Sequence, residues 1–212
     1  TAPGNLTIGN RTNHDAHPYG ALTVSQVIQK SSNIGAAKLA LGLKAETLWT
    51  LFDQVGFGTP PRSGFPGEVS GRLRAHAGWR PIEQATMSYG HGISVSLLQL
   101  ARAYLIFATD GEIKPATLVK LEAPAEGTRV IAPEVALAVR RMLELAVQPG
   151  GTAPRAQVTG YRVAGKTGTT HKLVGRSYAP DKYVSSFVGF APASRPRLVV
   201  AMMIHEPAAG AQ

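Results

Sequence analysis

The sequence has 212 residues, 44% of them hydrophobic and 17% charged, which fits one globular domain with a sizeable core and argues against a disordered chain. Its formal net charge is +9, but the basic residues are scattered as Arg72, Arg74 and Arg80, then Arg140 and Arg141, then Arg195 and Arg197, so a nucleic-acid-binding arm is unsupported and no nucleic-acid partner is expected. There is no cysteine, which excludes disulfides and thiolate-bound metals, and no apolar run is long enough to span a bilayer.

Residues 1–20 are rich in Asn, Gly, Thr, His and Pro without a clear period, and are expected to form loop. Thr23 opens a helical pattern with Val24, Val27 and Ile28 on one face, interrupted by Ser31, Ser32 and Asn33. Further helices are predicted over Ile34–Lys44 and Glu46–Gln54, the latter stopped by Gly56-Phe57-Gly58. Residues 56–79 form a long Gly/Pro stretch, a length that is more often functional than not. Pro81 suits the first turn of a short helix through Met87, and residues 88–92 read as a turn. Ser94 or Ser96 can cap a helix reaching Thr109. Short strands at Ile113–Leu121 and Arg129–Ile131 suggest a hairpin, and Pro133 opens a helix to Val147 that Pro149-Gly150-Gly151 stops. The end of the chain changes character. Tyr161–Thr170, Tyr183–Ala191 and Arg197–His205 carry β-branched and aromatic residues between turn signals and read as three consecutive antiparallel strands. Helices followed by strands argue an α+β fold, with residues 20–150 mainly helical and 160–207 forming the sheet.

Two segments carry possible chemistry: Ser31-Ser32-Asn33 at a helix junction and Lys166-Thr167-Gly168-Thr169 on the first C-terminal strand, 135 positions apart. Alone, the first is an ordinary helix cap and the second an ordinary strand edge. In this order and on these elements they match the second and third motifs of the set Ser-x-x-Lys, Ser-Asp-Asn, Lys-Thr-Gly, the second with Ser32 at its middle position. A competing pattern overlaps the third motif. Residues 160–167 satisfy G-x-x-x-x-G-K-[ST], but a phosphate loop needs a buried strand before it and a helix starting at its lysine. Residues 149–159 are polar and turn-rich, and Thr167 to Thr170 are poor helix formers, so nucleotide hydrolysis is disfavoured. The histidines form no metal-ligand spacing: His14 and His17 lie in a loop, and Pro207 after His205-Glu206 excludes a zinc helix. No cofactor is expected.

Several other segments extend the match. Gln29 to Gly35, Arg80 to Gly92, Leu97 to Tyr104, Tyr161 to Thr169 and Gly189 to Ala193 are together similar to class B penicillin-binding proteins, and within them to the division-specific septal transpeptidases. The resemblance implies a β-lactamase/transpeptidase-like fold, a three-stranded antiparallel sheet packed on a helical subdomain, truncated at both ends. It implies serine acyl transfer on D-Ala–D-Ala stem peptides in septal peptidoglycan cross-linking, β-lactam binding, division-complex membrane partners, and a periplasmic domain anchored in the bacterial inner membrane. A D,D-carboxypeptidase, a β-lactamase-like enzyme or a non-catalytic scaffolding relative are the alternatives.

Residue by residue, the resemblance makes Ser31, Asn33 and Lys166 catalytic and Thr167, Gly168 and Thr169 the substrate- and β-lactam-binding strand. Ser31 would relay a proton to the leaving nitrogen, and Asn33 would hold a substrate amide. Lys166 would keep the site positive. The hydroxyls of Thr167 and Thr169 would bind the substrate carboxylate, and the amide of Thr169 would be an oxyanion donor. The sequence departs from the family in one respect: no serine has lysine three positions on, so the nucleophile is missing. Thr117 before Lys120 and Thr169 before Lys172 have the spacing, but neither heads a predicted helix. The chain alone is therefore expected to be inactive.

Overall fold

Helices in this chain begin where the sequence supplies their caps. The computed structural model describes residues 1, 3–175 and 177–207. Helix α1 (Val24–Lys30) starts at Thr23, whose hydroxyl accepts from Gln26 N while Gln26 Oε1 accepts from Thr23 N. Such a capping box satisfies two otherwise orphaned amides, and a cap of this kind is worth about 1 kcal/mol. Helix α2 (Asn33–Leu41) is capped by Ser32, and α3 spans Ala45–Gln54. Pro81 opens α4 (Pro81–Met87), where Glu83 accepts from Arg80 N at 2.9 Å. Ser96 caps α5 (Leu97–Ala103), which continues through Tyr104 into α6 (Leu105–Ala108). Pro133 opens the longest helix, α7 (Pro133–Val147).

The sheet is antiparallel, with strands β5 (Ala164–Val174), β6 (Ser177–Ala191) and β7 (Leu198–His205) in the order β5-β6-β7. Helix α7 packs on β5. Its Leu143 joins Ala164, Phe190 and Ala193 in a core to which α1 adds Ile28, and to which Tyr104, Phe107 and Val139 also contribute. Burying Phe190 or Leu143 stabilises the fold by about 1.5–3 kcal/mol each. A second cluster, Val147, Ala153 and Val163 with Phe187 and Ala191, lies under the residues that follow α7. A third joins Val55, Ala103, Ile106 and Ile113. The α1–α7–β5 stack matters most for the candidate site, because it brings the end of α1 beside the first residues of β5.

The structure corrects several boundaries. Residues 1–20 are not all loop: β1 (Asn5–Ile8) and β2 (Arg11–His14) form a hairpin, paired from Asn5↔His14 to Ile8↔Arg11. Leu6 and Ile8 alternate with Asn5 and Thr7 in β1, but the strand is only four residues long and β2 has no apolar residue; Gly9-Asn10, with Gly9 at φ 61°, is a tight-hairpin signal. Helix α2 ends at Leu41 rather than Lys44, closed by Gly42. The helix expected to reach Thr109 breaks at Tyr104, where Phe107 N turns to Tyr104 O, an i→i+3 bond. The hairpin expected over Ile113–Leu121 shrinks to β3 (Glu112–Ile113) and β4 (Thr128–Arg129). Strand β5 starts at Ala164 and runs beyond Thr170 to Val174, and β6 starts at Ser177 rather than Tyr183. Lys166 lies within a strand and starts no helix, so the phosphate-loop geometry is absent there.

The long Gly/Pro stretch is held by two polar side chains, one buried and one partly exposed. Gln99, 2% exposed, directs its Nε2 at the carbonyl oxygens of Gly56, Thr59 and Ser70. The carboxylate of Glu68 accepts from the Ser63 hydroxyl and from the amides of Ser63 and Arg62, contacts that hold its pKa below the usual carboxylate value.

Candidate active site

One half of the site is the junction of α1 and α2. Ser31 closes α1 in the left-handed conformation (φ 56°, ψ 45°), and Ser32 N then reaches back to Val27 O at 3.0 Å. A non-glycine residue there is strained by about 1–2 kcal/mol, and such strain concentrates at functional positions. Several bonds offset it. The Ser32 hydroxyl accepts from Gly35 N at 2.9 Å and donates to Asp15 Oδ2 at 2.6 Å, while Asp15 Oδ1 accepts from Ile34 N at 3.0 Å. An added Cβ at Gly35 would lie 2.5 Å from Val27 Cγ2, so glycine is what lets the two helices meet this closely. The result turns the Ser31 side chain outward and buries Ser32. Asn33 Nδ2 donates to His14 O at 3.4 Å.

The other half is β5. Lys166 pairs with Val188, Thr167 with Phe187, Gly168 with Ser186 and Thr169 with Ser185. Burial of the Lys166 ammonium lowers its pKa from 10.5 to about 8, since desolvation disfavours the charged form. Lys166 Nζ donates to Ser31 Oγ at 2.9 Å and to Thr167 O at 3.1 Å. Among the described residues β5 pairs along one edge only, and Gly168 and Thr169 lie exposed along it. A Cβ at Gly168 would meet Ser186 Oγ at 2.7 Å, so that hydroxyl occupies the space a side chain would take.

Ser31, Lys166 and Thr167 therefore come together in one hydrogen-bonded group. Gly168 and Thr169 continue outward along the strand, and Asn33 is held one step away by the β2 backbone. Two participants escape a reading of the sequence. Asp15 fixes the helix junction from the segment expected to be loop. Thr152, just past the Pro149-Gly150-Gly151 stop, accepts from Thr167 Oγ1 at 2.9 Å and lies 3.4 Å from Lys166 Nζ. Short-range sequence patterns do not mark either residue. At the far end of β5, His91 from the 88–92 turn stacks edge-on against Tyr89 and Tyr178, and its pKa is lowered by burial and then by nearby His171. A cavity of about 570 Å³ lined by Pro60, Glu68, Ser70, Gly71 and Ser94 contains none of the motif residues. The site is placed on the Ser31–Lys166 contact because that is where a depressed lysine pKa and convergent hydroxyls coincide.

No group of three or more His, Asp or Glu side chains that could hold a metal ion occurs among the described residues, and no described helix is long and apolar enough to cross a membrane. Residues 2–212 match the family model described as penicillin binding protein transpeptidase domain. The chain is 44% identical over 202 residues to a probable peptidoglycan D,D-transpeptidase PenA of Neisseria gonorrhoeae, covering 95% of this chain and 35% of that protein. It is 38% identical over 196 residues to the peptidoglycan D,D-transpeptidase FtsI of Escherichia coli K12, covering 92% of this chain and 33% of that protein. It thus spans about a third of the length of these relatives. Among solved structures, the apo transpeptidase domain of Burkholderia pseudomallei penicillin-binding protein 3 superposes with a TM-score of 0.94 at 52% identity, covering 98% of this chain and 63% of that one. With the helix junction, the Lys166 strand and the α+β architecture in place, this chain belongs to the penicillin-binding protein transpeptidase domain family.

Proposed function

We propose that this chain supplies the leaving-group and substrate-binding half of a peptidoglycan D,D-transpeptidase acting in septal cell-wall synthesis, whose serine nucleophile comes from a Ser-x-x-Lys segment outside it. The observation that carries the reading is the 2.9 Å contact between Lys166 Nζ and Ser31 Oγ. It joins two elements far apart in sequence at a lysine whose ammonium is easily deprotonated.

The chemistry is acyl transfer in two steps. The serine attacks the D-Ala–D-Ala carbonyl, the peptide C–N bond breaks, and the departing D-Ala nitrogen needs a proton. Ser31 Oγ accepts a hydrogen bond from Lys166, so its own O–H points elsewhere and can donate to that nitrogen. The attacking serine's hydroxyl proton passes to the lysine of its own Ser-x-x-Lys segment and from there replaces the one Ser31 gives up, while Lys166, charged below about pH 8, holds Ser31 in place. An amine on a neighbouring stem peptide takes the acyl group in the second step. Lys166 and the hydroxyls of Thr167 and Thr169 bind the substrate carboxylate. Gly168 lies exposed on the β5 edge that no described strand pairs, where the peptide lies as an added strand. The Thr169 amide is one oxyanion donor, and Asn33 holds a substrate amide. β-Lactams enter as mimics of the same dipeptide. The parent protein faces the periplasm from an inner-membrane anchor and works with division-complex membrane proteins.

Labelling with a fluorescent penicillin tests this. The full-length protein carrying this chain is expected to form a covalent adduct that survives denaturation, and residues 1–212 alone are expected to form none. An adduct on the isolated chain, or none on the full-length protein, overturns the reading.

A further inference from the structure

The residues after α7 do more than end a helix. Lys30, the last residue of α1, donates from Nζ to the carbonyl oxygen of Gly150 at 2.9 Å, across 120 positions. Two residues on, Thr152 receives Thr167 Oγ1 and lies within reach of Lys166 Nζ. Lys166 returns to Ser31, which follows Lys30 in the chain. These contacts close a ring through both halves of the site.

The segment in that ring has little slack. Gly150 sits at φ 85°, where a side chain would be strained, and a Cβ at Gly151 would lie 2.3 Å from Ala146 O. Ala153 N donates to Ala146 O at 2.9 Å, and Ala153 is 6% exposed beside Val147 and Val163. One side of the segment is thus anchored on α7 and the core, and the other side on Lys30. A lysine in the last turn of a helix can bond the carbonyls of its own helix. Lys30 is half-buried and bonds another element instead.

Resting on the transpeptidase reading above, we propose that Lys30 is a positioning residue for the acyl transfer: by holding the Gly150 carbonyl it fixes Thr152, and through Thr152 it sets Lys166 and Thr167 at working distance from Ser31. Lys30 reaches the reaction only through this segment. Loosening it lets Thr152 drift, frees the Thr167 hydroxyl and admits water to Lys166.

The test uses the full-length protein and the second-order rate of acylation by a fluorescent penicillin, measured across pH 6 to 10 together with thermal melting. Lys30→Met keeps the aliphatic stem and removes the donor. It is expected to slow acylation by roughly 10- to 100-fold, the scale of a small misplacement of catalytic groups, and to move the alkaline limb of the pH profile upward as Lys166 is rehydrated. Lys30→Arg retains a charged donor and is expected to recover most of the rate and the original limb. Adding Thr152→Val to Lys30→Met is expected to slow acylation by less than Thr152→Val does alone, because the brace is already broken. Wild-type acylation with an unmoved limb in Lys30→Met overturns the proposal. So does full additivity with Thr152→Val, and so does a loss that follows a lowered melting temperature and is not recovered by arginine. Failure of the wild-type protein itself to be acylated removes the functional reading, and the proposal with it.

Discussion

The two halves of the site are fixed by different physics. The helix junction is held by local hydrogen bonds around a strained residue: Ser31 in the left-handed region, Ser32 as a buried cap, and Asp15 bonded to both Ser32 and Ile34. Its geometry and its stability are the same set of contacts. The strand half is placed by sheet register, and the lowered pKa of its lysine comes from what covers it. Lys166 has a lowered pKa because it is desolvated, and its partners Ser31 and Thr152 belong to other elements. The comparison teaches that damage to the junction should appear first as lost stability. Damage to the strand should appear as lost chemistry in a protein that still folds.

The largest effect that would break this contrast is at Lys166. In the full-length protein, Lys166→Met is expected to reduce the rate of penicillin acylation by about 10²–10³-fold or more, the scale seen when one electrostatic stabiliser is removed from an acyl-transfer site. The same change is expected to leave the melting temperature unchanged or raise it, because an apolar side chain of similar length replaces a charge held out of water. Acylation kinetics and calorimetry on one preparation check both statements. A melting temperature lowered by several degrees would show that Lys166 is structural, and the contrast would fail.

Asp15 gives the next largest effect, from the opposite half. Asp15→Ala leaves the Ser32 hydroxyl and the Ile34 amide without their acceptor, and orphaned buried donors of this kind cost about 1–3 kcal/mol. For a chain of this size that lowers the melting temperature by about 2–4 °C per kcal/mol. Acylation should fall less than in Lys166→Met and should track stability. A large loss of acylation without a loss of stability would show that Asp15 acts on the chemistry directly.

Asp15 also marks the limit of what the sequence discloses. Caps and breakers are local, so α1, α4 and α7 are legible from Thr23, Pro81 and Pro133, and the three C-terminal strands from their β-branched runs. The motif residues Ser31 and Lys166 are legible because their spacing and elements recur in a known set. Asp15 and Thr152 are not legible, because their role exists only once distant segments pack. An aspartate in a polar stretch and a threonine after two glycines look like turn residues. In the β1–β2 hairpin that delivers Asp15, only β1 alternates, with Leu6 and Ile8 half-buried over four residues, and the polar partner strand Arg11–His14 gives no second signal. The strand-half brace at Lys30 and Gly150 spans 120 positions and leaves no short-range trace.

The smallest expected effect sharpens the comparison through pH. Burial lowers the Lys166 pKa from its ordinary 10.5 to about 8. Below pH 8 the folded state holds a desolvated ammonium, which destabilises it relative to the unfolded chain. Between about pH 8 and 10.5 the unfolded state keeps that proton while the folded state has released it, so stability rises with pH across this window. The sign is opposite to that of a lysine stabilised by a carboxylate partner, whose contribution is lost as pH rises. Water penetration discounts the size of the effect, so the measurement is a difference. Melting temperatures of wild type and Lys166→Met are compared at pH 7.5 and pH 9.5, which cancels the other titrating lysines and tyrosines. Wild type is expected to gain on the variant at the higher pH. A gap that stays constant would mean that Lys166 is solvated after all, and its hydrogen bonds to Ser31 and Thr152 would then have to account for the chemistry without help from burial.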